Sequence, residues 1–105
     1  YEWYAHHQIA LDVGVSLEIV NALAEGQPLE GLAEDEAVLY AFFTELNRDK
    51  GVSDATYAQA LEMFGEKGII DTVGIIGYYT MLAMTMNTAR TPAPGSAEPP
   101  LQQLD

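Results

Sequence analysis

Cysteine is absent from all 105 residues. The chain can therefore form no disulfide, thiolate metal site, iron–sulfur cluster or redox dithiol. Positive charge is almost as scarce. Arg48, Lys50, Lys67 and Arg90 face sixteen acidic residues, for a formal net charge of -12. Such a chain repels phosphate backbones and anionic membrane surfaces, so nucleic acid is not an expected partner. No glycine-rich phosphate loop, serine–histidine–acid arrangement or dinucleotide fingerprint is present. An enzyme built on this sequence works by proton transfer. No basic n-region followed by an apolar stretch and a cleavage site opens the chain, so no secretory signal is read and the cytoplasm is the expected compartment. The opening Tyr1-Glu2-Trp3-Tyr4-Ala5-His6 has no methionine and reads as a chain entered midway.

What is present favours a folded protein. Apolar residues make up 49% of the chain and charged residues 19%, and the length suits one domain with one modest core. Trp3, Ala5, Ile9, Ala10 and Val13 fall at helical spacing ahead of Gly14, which predicts a helix over 2–13. Ser16 can cap a second helix that carries Leu17, Ile19, Val20 and Leu23 and stops at Gly26, with Pro28 beyond. A third, over 34–49, places Val38, Leu39, Phe42, Phe43 and Leu46 on one stripe, with acids at its start and Arg48 and Lys50 at its end, as the helix dipole favours. Gly51 ends it. Ser53 then offers the N-cap of a fourth helix over 54–64, built around Tyr57, Ala58, Leu61 and Phe64, and Gly65 and Gly68 punctuate the chain before the next.

The fifth segment, 69–89, is apolar on nearly every face, and a helix apolar all round is expected to be buried all round. Its length is close to the roughly 20 residues a bilayer requires. Asp71, Thr72, Thr80, Thr85 and Asn87 lie within it and basic residues do not flank both ends, so a buried helix is preferred to a membrane span. At about 1.5 Å per residue it is some 30 Å long, the diameter of a compact domain of this size. Four other helices can hardly cover it, so copies of the chain, or a segment outside it, are expected to do so. Gly74 and Gly77 permit close approach by another helix, but ordinary core packing is the preferred reading. Residues 91–105 are rich in proline and read as an extended tail, from which Leu101 and Leu104 could dock on a neighbour. The expectation is an all-α bundle of about five helices over 1–90, followed by that tail.

Glu2 and His6 stand four apart on the first helix, hence on one face, where a carboxylate can hydrogen-bond an imidazole and fix its tautomer. That pair is the smallest unit of a general acid/base site, and it is also a common decoration of helix surfaces. Trp3, Tyr4 and Ala10 make the helix largely apolar, so partial burial of the pair is expected, while His7 lies on another face and reads as surface. Tyr78 and Tyr79 can supply a phenol near the pair or serve as core. Asp71, as a buried acid, needs a partner such as Lys67 four residues earlier. Glu2, His6 and Asp71 do not have the spacing of a zinc site, and no metal is expected.

The string Glu2-Trp3-Tyr4-Ala5-His6, followed by Ala10, Gly14-Val15-Ser16 and Glu18-Ile19, resembles the core helix pair of the carboxymuconolactone decarboxylase family. Phe64-Gly65-Glu66-Lys67-Gly68, Gly77-Tyr78-Tyr79, Asn87 and the proline tail extend the resemblance to about residue 95. The superfamily includes the alkyl hydroperoxidase D type enzymes, with a Cys-x-x-Cys-x-x-x-His helix. His6 matches that histidine and Glu2 stands at the second cysteine, so thiol peroxidase activity is not implied for a chain without cysteine. The decarboxylase branch implies an alkyl hydroperoxidase D-like fold assembled as a trimer or hexamer, with further helices before the motif. It also implies a cofactor-free carboxy-lyase of aromatic compound catabolism that removes carbon dioxide from a γ-lactone bearing a second carboxylate and returns a proton to a ring carbon. On this resemblance His6 carries the proton and Glu2 orients it; Trp3, Tyr78 and Tyr79 are the expected substrate contacts. The counter-charge for that dianion would come from Arg90, a neighbouring subunit or residues before Tyr1. The alternative is a non-catalytic oligomeric module that binds a small ligand.

Overall fold

The structure, a computed structural model, describes residues 1–95. It is all-helical, with no strand among those residues. Four helices follow one another: α1 over Glu2–Asp12, α2 over Leu17–Glu25, α3 over Glu34–Asp49 and α4 over Asp54–Ala89. They belong to two compact units. One holds Tyr1–Gly31 and the chain from Leu82 onward, and the other is Leu32–Met81.

In the first unit α1 and α2 pack against each other across a tight turn. Gly14 takes φ 100° there, and the Val15 N–H closes back on the Ala10 carbonyl at 2.9 Å. Ser16 caps α2 as its position predicts, accepting from the Ile19 N–H at 3.2 Å. At the other end Gly26 is left-handed (φ 65°), and the Gln27 N–H reaches the Ala22 carbonyl at 2.8 Å. Only Ile19 and Val20 are buried in this pair. In α4 the helix ends at Ala89, followed by left-handed Arg90 (φ 53°), and residues 91–95 are non-helical. Pro92 cannot continue a helix. The rest of the expected tail, with Leu101 and Leu104, lies outside the described residues.

The second unit holds a cluster of Phe42, Ala60 and Ile69, with Val38, Leu46, Val52, Phe64 and Ile76 packed against it. Phe42 and its one-turn neighbours Val38 and Leu46 face this core, as the α3 stripe predicts. Leu39 and Phe43, on the flanks of that stripe, stay 42% and 41% exposed. The start of α4 departs from expectation by one position. Thr56 and Ala60 are buried, whereas Tyr57 and Leu61 are exposed. The reason is a polar clamp across the α3–α4 turn. Glu45 accepts from the Ser53 N–H at 2.7 Å and from the Thr56 hydroxyl at 2.7 Å, which turns the Thr56 side of the helix inward. The Ser53 hydroxyl in turn accepts from the Thr56 N–H at 3.3 Å, the cap that the sequence predicts. The left-handed residue that ends α3 is Lys50 (φ 62°), one position before Gly51.

The Ser53 backbone N–H, and next the Thr56 hydroxyl, hold the Glu45 carboxyl below its ordinary value of 4.5. A carboxyl depressed on folding contributes stability that is complete above its unfolded value and is lost as pH falls through the folded one. The urea midpoint is therefore expected to drop on acidification below about pH 4.5, and Glu45→Gln is expected to lower it at neutral pH and flatten that drop. A pH dependence identical in the variant would show that the clamp contributes nothing.

Where the sequence leads to two helices separated by a punctuated stretch, α4 is one 36-residue element with a break at Gly65 (φ 70°, ψ 175°). The helix resumes at Glu66, so two helical stretches meet at this kink within one continuous element, and four elements are counted among the described residues. Only glycine readily adopts that conformation. Gly68 completes the arrangement, because a Cβ there would lie 2.6 Å from the Phe64 Cβ. The two glycines thus let Phe64 sit against the core at the bend. Gly65→Ala is expected to cost about 1–3 kcal/mol, read as a lower urea midpoint; an unchanged midpoint would contradict the required geometry.

The all-round burial expected for the last helical stretch is not met within one chain. Ile70, Ile75, Tyr78 and Met81 are 71%, 60%, 55% and 53% exposed, and Ile69 alone in the stretch is buried. α4 is also long and apolar enough to cross a bilayer, with an 18-residue window of mean hydropathy 1.4 that is 6% buried. Apolar composition creates the demand for cover, but the neighbouring helices are too few to meet it.

Candidate functional site

The residues with catalytic potential lie on α1, whose first turn begins directly after Tyr1. One helical turn separates Glu2 from His6, and the backbone brings their side chains together. His6 Nδ1 lies 3.1 Å from Glu2 Oε2 and 3.0 Å from the Glu2 carbonyl oxygen. An Nδ1–H donated to these two oxygens leaves the basic lone pair on Nε2, the tautomer a proton carrier needs.

The pair is less buried than the apolar character of α1 predicts. The His6 side chain is 49% exposed and that of Glu2 28%, and α1 buries none of its residues. Ile9 and Val13, placed in the apolar spacing by sequence, are 54% and 75% exposed. In that setting the contact is worth a few tenths of a kcal/mol, so it orients the imidazole more than it stabilises the fold.

His7 corrects a second expectation. It is half-buried rather than fully at the surface, with its ring stacked on Trp3 at 5.5 Å and 8° between planes. Its Nδ1 donates to the Trp3 carbonyl at 2.7 Å. Trp3 is thereby committed to His7, whereas His6 has the carboxylate. Sequence spacing contains the signal for this stack, since 3 and 7 are related as 2 and 6 are.

Tyr78 and Tyr79 belong to the other unit, where their rings meet edge to face at 5.5 Å. Asp71 does pair with Lys67, at 2.8 Å, but the acid is exposed and not the buried group expected. Arg48 is held by Asp49 at 2.6 Å, and the Lys50 ammonium donates to the Asn47 carbonyl at 2.7 Å. Arg90 is the basic residue in the same unit as Glu2 and His6.

Two features of the second unit are not evident from the sequence. One is the Glu45–Ser53–Thr56 clamp, which has a structural role. The other is an open groove of about 590 Å³ lined by Glu34, Ala37, Val38, Gln59, Glu62 and Met63. With two carboxylates on its walls, that groove disfavours an anionic ligand. No group of three or more potential metal ligands occurs among the described residues. Compared with family models, curated proteins and solved structures, the chain matches none of them.

Proposed function

We propose that this chain is a carboxymuconolactone decarboxylase-like protein, a cofactor-free lyase or related proton-transfer enzyme acting on a small cyclic carboxylate or lactone. The observation that carries the reading is the 3.1 Å contact of His6 Nδ1 with Glu2, at the positions that the family resemblance assigns to proton carrier and orienter. Loss of carbon dioxide leaves an electron pair delocalised into the lactone; His6, in its doubly protonated form, gives its Nε2 proton to a ring carbon of the substrate while Glu2 holds the imidazole, and then regains a proton from water. Trp3, on the same helix as the pair, is the proposed substrate contact, and Arg90, in the same unit, is the proposed counter-charge for a carboxylate. The working form is a homo-oligomer, a trimer or hexamer in the family pattern, in the cytoplasm and without a membrane or nucleic-acid partner. Assembly also supplies the water-excluding cover that His6 and Glu2 lack in one chain.

The exposure of His6 favours a second reading, a non-catalytic oligomeric module that binds a small ligand. Titration with the lactone, followed by His6 and His7 ring resonances and by carbon dioxide release, tests both. The enzyme reading expects His6 to respond and carbon dioxide to appear. A response at His6 without release assigns the binding module, and neither response overturns both readings.

A further inference from the structure

Along α4 the residues Ile70, Gly74, Gly77 and Met81 are spaced four, three and four apart, the spacing of a helix–helix seam. Val73 and Tyr78 flank that stripe. Ile70, Val73, Tyr78 and Met81 are 71%, 42%, 55% and 53% exposed. A Cβ placed on Gly74 or Gly77 meets no atom within 4 Å. Exposed interior glycines cost a helix stability relative to alanine, so two of them on one stripe call for another benefit. Close approach of a second helix is such a benefit, with axes near the lower end of the usual 8–10 Å.

Two properties indicate which helix it is. The stripe reads nearly the same in both directions about its midpoint. Gly74 mirrors Gly77, Val73 mirrors Tyr78, and Ile70 mirrors Met81, so small residues meet small and large meet large when an identical segment runs antiparallel. This is the self-complementarity that a two-fold interface requires. The second property is charge. In a chain of net charge -12, no charged residue lies between Asp71 and Arg90, so two copies can meet along this stretch without placing acid on acid. The Lys67–Asp71 pair falls at the edge of the seam, where a polar rim belongs.

We infer that two copies of this chain pair through α4, antiparallel about the Gly74–Gly77 midpoint, with Ile70 of each against Met81 of the other. The inference deepens the oligomer proposed above and selects assemblies that contain a two-fold axis. One helix crossing lies at the small end of protein interfaces, so this contact is expected to depend on concentration when measured alone.

The absence of cysteine makes the test specific. Ile70→Cys and Met81→Cys chains, prepared separately and mixed under mild oxidation, are expected to cross-link to each other at least tenfold more than either does to itself. Both positions are exposed, so neither substitution opens the core. Gly77→Leu is expected to weaken association at least tenfold by sedimentation while leaving the helical signal unchanged. Preferential linkage of each variant to itself would mean a parallel pair and overturn the inference. So would association unaffected by Gly77→Leu, a chain monomeric at every concentration tested, or flotation with uncharged phosphatidylcholine vesicles in place of cross-linking. An oligomer that persists without this contact overturns the seam alone, whereas the His6 experiments judge the proposed chemistry.

Discussion

His6→Gln is expected to lower carbon dioxide release from carboxymuconolactone by about 10²–10⁴-fold, the usual contribution of a positioned acid or base. Glutamine retains a polar group of similar reach but cannot take up and return a proton. The variant should fold normally, because α1 buries none of its residues and the imidazole contact is half in solvent. A circular dichroism spectrum and urea midpoint matching the parent would establish that the loss is chemical. Glu2→Gln separates two environments. An exposed pair contributes about 0.2–1 kcal/mol, equivalent to no more than about fivefold in rate. A much larger loss would show that the pair is desolvated by a neighbouring subunit during turnover. Undiminished release by His6→Gln would remove His6 from the mechanism.

Phe42→Ala is expected to produce the largest stability loss, about 3–5 kcal/mol, the range for truncating a buried aromatic side chain. Phe42 is 3% exposed in the cluster with Ala60 and Ile69, and few other residues share its burden. Ala60 is too small to fill the space left, and the Gly65 bend fixes Phe64 on one side of it. A domain with typical net stability of about 5–15 kcal/mol would lose a large part of it. Phe43→Ala is the matched control, since Phe43 is 41% exposed one position later in α3. Urea denaturation should show a much smaller shift for it. Equal shifts would place the core on the wrong face of α3.

Much of the fold is legible in the sequence because local chemistry sets it. Ser16, Gly26 and Ser53 mark helix ends through hydrogen bonds and backbone angles that depend on few neighbours, and the structure has each in that role. The acids that open α3 are legible for the same reason. Gly65 is harder to read. Its identity signals a break, but whether the helix resumes at once depends on how Phe64 packs, a tertiary matter. The inward turn of Thr56 depends on Glu45, eleven residues earlier, and hydrophobic spacing favours Tyr57 and Leu61 instead. Composition likewise shows that 69–89 needs cover without showing what covers it.

The candidate site divides in the same way. The approach of Glu2 to His6 follows from helical geometry, as does the Lys67–Asp71 pair. Their exposure does not follow, since burial is a property of what surrounds a helix and not of its own spacing. His7 shows the converse: a stack on Trp3 draws it partly out of solvent although its position alone suggests surface.

The most direct test is carbon dioxide release from carboxymuconolactone by the unmodified chain in chelator-containing buffer, with no cofactor added. Catalytic turnover is expected, rising with protein concentration and persisting in the chelator. Release no faster than the uncatalysed reaction, at concentrations where the chain is associated, would contradict the proposed function.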